Sequence, residues 1–306
     1  MSGGPIPPEI AEDIKKARRL EWWTLAWMAS VIAVMSLVTG SSQAMKTAWI
    51  EDVLSLIPAI VFLVAQHFEA KKPTVMFPFG YHRANSLAFL ISAAALSAVG
   101  LQLLIEAIMT LAMREHATVG PVSLFGQEVW SGWLMIAALC YSIVPPVILG
   151  RKKLPIARRL QDKVLHTDAM MQKADWQTGL AGICGILGLG LGYWWADAVA
   201  AGLISFSILH DGIKALKSAT AELVDGVPRE LGSSKMAKDA EKLKRALRKR
   251  YGGDVRLRET GRFIHAEVTG TKPDSEIDLE EQWPGEDRAW RLAQLSFVPP
   301  EKDEKL

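Results

Sequence analysis

Six long apolar runs follow one another along this chain, each about as long as a bilayer's hydrocarbon core is thick. They are Trp22–Thr39, Thr47–Phe68, Ser86–Ala112, Trp130–Leu149, Val164–Gly190 and Trp194–Ala215. About 20 apolar residues let a helix span a bilayer, and the helix satisfies its own backbone polar groups there. The pattern predicts an α-helical membrane protein with six transmembrane helices. The first run has no small-residue cleavage site and leads straight into the second, so it reads as a retained helix and not a signal peptide.

Half of the 306 residues are hydrophobic, but that average joins two unlike parts. The runs end near Ala215, and from Lys217 the chain is strongly charged. The net charge of +2 decides little, whereas its placement sets orientation. Lys15, Lys16, Arg18 and Arg19 precede the first run; Lys71, Lys72 and Arg83 separate the second from the third. Arg151, Lys152, Lys153, Arg158, Arg159 and Lys163 separate the fourth from the fifth, and Lys214 and Lys217 close the sixth. The opposite connections carry Lys46 and Arg114 alone. The positive-inside rule puts both termini in the cytoplasm, with the basic loops as topology signals and no nucleic-acid partner. Cys140 and Cys184 fall mid-segment and read as packing residues.

Residues 1–20, opening on prolines and glycines, read as a disordered cytoplasmic lead, residues 21–217 as the membrane domain and 218–306 as a small cytoplasmic α+β domain. In the last, Ser233-Ser234 is positioned to cap a helix over Lys235–Tyr251 that Gly252-Gly253 ends. Asp254–Glu259 and Arg262–Thr269 predict a hairpin turned at Thr260-Gly261, and Leu295–Val298 a last strand. Pro145-Pro146 predicts the end of the fourth helix, and Thr118–Glu128 an external loop. Gly179, Gly182, Gly185 and Gly188 in the fifth run predict close helix packing or a mobile helix.

Acids inside the apolar runs are the strongest functional signal, because ionisable groups at membrane depth cost about 2.5–3.5 kcal/mol each on insertion scales. Glu51 and Ser55 are one helical turn apart, with Asp52 pointing about 100° away. Asp168, Met171 and Asp175 share a face of the fifth run, with His166 and Gln172 on flanking stripes. If the two faces meet, carboxylates, a hydroxyl and a thioether surround one point. Carboxylate oxygen suits hard divalent ions, while imidazole or thiolate suits zinc. Met171 reads as packing or as a soft ligand, and Lys173 as a counter-charge to Asp52 or Asp175 or as a side chain reaching the interface.

The chain resembles the cation diffusion facilitators, six-helix exporters of divalent metals with a cytoplasmic ferredoxin-like domain. The resemblance is carried by K-P-T-V-M-F-P-F-G-Y-H-R-A-N-S-L, by L-L-I-E-A-I around Glu106 and by T-D-A-M-M-Q-K-A-D. It continues in Y-W-W-A-D-A-V-A-A and A-E-L-V-D-G-V-P. It covers Trp22–Pro228 well and implies a homodimer in a bacterial inner membrane that exchanges metal for protons. The family's helix-two ligand pair falls on Glu51 and Ser55, and its helix-five pair on Met171 and Asp175. Two carboxylates and no histidine remain, which departs from the usual zinc set and leaves manganese, iron, zinc or cobalt as substrate, with Asp52 or Asp168 as substitutes. No bound cofactor and no enzymatic activity are expected. His82 is a weaker ligand candidate, and His265, a lone strand histidine, reads as structural. The alternative is a family-like scaffold or ion sensor without transport. An aspartyl protease lacks its glycine-flanked motif around Asp52 and Asp175.

Overall fold

The computed structural model describes residues 6–38, 52–114, 121–124, 127–193, 195–270, 277–285 and 288–299. Six long helices match the six apolar runs: α1 Pro8–Val38, α2 Ile57–Glu69, α3 Arg83–Met113, α4 Ser131–Leu160, α5 Lys163–Gly190 and α6 Ala196–Leu223. By length and composition, two stretches among the described residues are apolar enough to cross a membrane, Asp52–Glu69 and Arg83–Met113. Large apolar side chains point outward all round the bundle, among them Leu203 at 73% and Phe206 at 66% exposed, with Leu101, Ile105 and Leu187. Exposed apolar surface on this scale fits a hydrocarbon surround and not water.

α1 and α4 overrun their apolar runs furthest. α1 begins at Pro8, so most of the expected disordered lead, residues 1–20, is helical. α4 continues past Pro145-Pro146 and Pro155 to Leu160, where the doublet was expected to end it. The extensions fasten to each other. Arg159 donates to both oxygens of Asp13, Nε to Oδ2 at 2.6 Å and a terminal nitrogen to Oδ1 at 2.9 Å. Ala17, Ile156, Ala157 and Leu160 pack in one cluster with Phe62, Phe89 and Leu165. Tertiary packing of this kind overrides a local helix-breaking signal.

The glycine stripe of α5 is filled by α4. A Cβ on Gly179 would sit 2.7 Å from Ile143 Cγ1, and one on Gly182 would sit 3.3 Å from Leu139. Where a loop was expected over Thr118–Glu128, Pro121–Leu124 (β1) and Gln127–Trp130 (β2) form an antiparallel hairpin.

Among its described residues the C-terminal unit has one α-helix, α7 Lys238–Tyr251, and a sheet in the order β3-β4-β5. Ala240, Leu243 and Leu247 of α7 bury against Val255, Leu257, Ile264, Ala266, Val268 and Leu292. β3 (Val255–Thr260) and β4 (Phe263–Thr269) pair antiparallel through a tight turn in which Gly261 takes φ +61°. β5 runs Leu292–Val298, three residues longer at its start than expected, and pairs parallel to β4. A parallel neighbour needs a crossover. Here the described part of the crossover carries short 3-10 turns at Glu280–Gln282 and Ala289–Arg291, and no second long helix. α7 starts three residues later than expected, at Lys238, and its N-cap residue Ala237 supplies no side-chain cap. Ser233 instead accepts from the Lys235 amide at 3.2 Å, closing a local turn.

Candidate cation site

Proline builds the first half of the site. Pro58 has no N–H, and its ring disfavours helical backbone just before it. The helical turn at 52–54 therefore tightens, with Leu56 N donating to Val53 O at 3.2 Å, before α2 resumes at Ile57. Ser55 sits at this break, 3% exposed, and its Oγ donates to Asp175 Oδ1 at 2.8 Å. Asp52, half-buried one turn earlier, lies within electrostatic range of Asp175. Ser55 from α2's approach and Asp175 from α5 thus meet inside the bundle. Glu51 lies outside the described residues.

Two of the expected site residues are used elsewhere. Met171 is fully buried in an apolar cluster with Ala95, Leu96, Val99, Ala174 and Ile208, and Leu54 and Ile57 pack on it. Its thioether is thus surrounded by apolar packing. Asp168 is also fully buried, and its carboxylate faces α4. It pairs with Lys153, whose ammonium also donates to Glu21 Oε2 and Thr24 Oγ1, both at 2.7 Å. Gln172 donates to Thr24 Oγ1 at 3.0 Å and to Asp168 Oδ2 at 3.4 Å. In sequence Lys153 reads as a topology charge. Lys173 is exposed. Among the described residues, no three His, Cys, Asp or Glu side chains cluster closely enough to hold a metal.

A second set of buried charges ties the bundle to the C-terminal unit. Lys163 bridges Glu222 of α6 and Glu259 of β3, and Arg291 donates to Glu259 Oε1 at 2.9 Å. Arg262 reaches Asp162 Oδ2 at 2.7 Å and Glu69 at 3.2 Å. Burial would weaken the guanidinium, but Glu69 and Asp162 beside it hold Arg262 above its ordinary value. Ser86 donates to Glu222 Oε1 at 2.6 Å and accepts from the Gly261 amide at 2.9 Å. The β3–β4 turn is thereby plugged into the loops that follow α2 and α4. His82 packs edge-on against Phe263, ring centroids 4.6 Å apart. His265 meets Gln294 Oε1 at 3.0 Å.

An apolar helical bundle with carboxylate and hydroxyl oxygens converging inside it defines a membrane protein that handles cations. The chain belongs to the cation efflux family: residues 23–224 match the cation efflux transmembrane domain. It is an integral membrane protein of metal cation efflux, in a family of transporters and not enzymes. It is similar to the manganese efflux system protein MneS of Bacillus subtilis, at 22% identity over 78% of each chain. A probable cation efflux system protein of Mycobacterium tuberculosis is 24% identical over 91% of this chain and 75% of its own. The zinc transporter ZitB of Yersinia pseudotuberculosis is 28% identical over 58% of this chain and 53% of its own.

Proposed function

We propose that this protein exports a divalent metal cation from the cytoplasm in exchange for protons. The observation that carries the reading is the hydrogen bond from Ser55 to Asp175, which joins the approach to α2 to the middle of α5. Asp175 is the principal ligand, Ser55 and Asp52 complete the described oxygen set, and Glu51 is assigned to it from its place one turn before Ser55. Oxygen donors without imidazole favour a hard ion, manganese or ferrous iron, over zinc. Binding inside the bundle with access alternating between the two sides would convert ion binding into transport. Carboxylates that hold a proton when the site is empty and release it to a metal would supply the exchange.

The finer architecture follows the same reading. All six long helices span the membrane, both termini face the cytoplasm, and two copies assemble in a bacterial inner membrane. The basic residues at the cytoplasmic ends support this orientation. One observation favours the rival of an ion-sensing scaffold, namely the absence of a three-ligand cluster among the described residues.

Liposomes holding the purified protein, tested with a panel of divalent ions for proton-linked uptake, separate the two. Export predicts manganese or iron flux that Asp175→Ala abolishes. Undiminished flux in that variant removes Asp175 from the site, and ion binding without flux favours the sensor.

A further inference from the structure

The Glu21–Lys153–Asp168 cluster carries more acid than its single base can satisfy. The Lys153 ammonium has three protons, and all three are taken: by Glu21 Oε2, Thr24 Oγ1 and Asp168 Oδ2. Glu21 Oε1 and Asp168 Oδ1 are left buried without a donor. Glu21, Lys153 and Asp168 are each 0% exposed, shut off from bulk solvent. Two carboxylates against one ammonium leave one surplus negative charge in a buried space. Such a charge is costly, and a proton removes it. Both carboxyl groups meet the same ammonium, which brings them together at one point of the interior.

We propose that Glu21 and Asp168 together hold one exchangeable proton, released to water when a divalent cation binds at Asp175. The proposal rests on the export reading and adds to it a proton site separate from the metal ligands. The charged groups acting on the pair are Lys153 of α4 on one side and, along α5, Asp175 with Asp52 beyond it. Asp168 and Asp175 are seven residues apart on one helix, about 10 Å of rise. Two positive charges arriving at that distance, at an effective dielectric near 20, weaken proton binding roughly a hundredfold. The balance is simple: the cation enters as a doubly charged ion, the O–H bond of the shared proton breaks, and the proton leaves to solvent. No electron transfer is involved.

The test counts protons. Calorimetric titration of the full-length, detergent-purified protein with manganese chloride, repeated in buffers of differing ionisation enthalpy, gives protons released per ion bound. Glu21→Gln keeps an oxygen for Lys153 but removes the acid, and it should release about one proton fewer per ion than wild type. Its manganese affinity should also depend less steeply on pH, which a purely structural role would not produce. An unchanged proton count in a variant that still binds manganese overturns the proposal alone. A wild type that binds manganese and releases no protons overturns proton exchange itself, and the proposal with it. If Glu21→Gln does not fold, Asp168→Asn tests the same pair by the same criteria.

Discussion

At the scale of single residues, burial and partner decide what a side chain does, and spacing does not. Asp168, Met171 and Asp175 share one stripe of α5, yet the first serves an ammonium, the second a hydrophobic cluster and the third the Ser55 hydroxyl. Packing and ligation at Met171 make opposite predictions. Met171→Leu conserves volume and should cost less than about 1.5 kcal/mol while leaving ion affinity and selectivity intact. Met171→Ala should cost about 2–5 kcal/mol through the cavity it opens. Thermal unfolding beside manganese titration decides between the roles; a selectivity change in Met171→Leu would make the thioether a ligand.

At the scale of elements, α3 and α6 approach each other closely at their glycines. A Cβ on Gly100 would lie 2.6 Å from the Leu209 backbone nitrogen, and one on Gly212 would lie 2.8 Å from Ser97 Cα. Backbone does not give way as a flexible side chain does, so Gly100→Val should separate the pair and lower the melting temperature in detergent, at about 1–3 kcal/mol or more. Gly202 lies on the same interface, but its added Cβ would meet Ala107 at an ordinary 3.6 Å. Gly202→Ala should therefore melt close to wild type. Equal losses in both would mean that helix propensity, and not close approach, governs the interface. The C-terminal hairpin was legible because Gly261 sits between two β-rich runs. The length of β5 was not, because its first residues pair only after a crossover returns them to β4.

At the scale of the whole molecule, buried ion pairs hold the two units together, and two imidazoles sit among them. Burial holds His82 and His265 below the usual imidazole value of 6.5, and nearby positive charge, Arg262 for the first and Arg258 and Arg83 for the second, pushes the same way. The folded state therefore binds fewer protons than the unfolded state as the pH falls through 6.5, and their contribution to stability is lost over that range. The melting temperature should drop between about pH 7.5 and 5.5, and replacing both histidines with glutamine should flatten that drop. A double variant with the wild-type pH dependence would assign the acid sensitivity to other groups.

From the chain alone came the apolar runs, the charged C-terminal unit with its helix and hairpin, and the acids worth watching. All of these are local patterns, set by lengths and spacings of a few residues. The fold alone decided which charges are internal: Glu21 finds Lys153 132 positions away, and Arg262 finds Asp162 100 away. The reason is physical. A charge's cost depends on the dielectric and the partners that packing brings to it, and packing joins residues whose separation along the chain carries no trace of their contact.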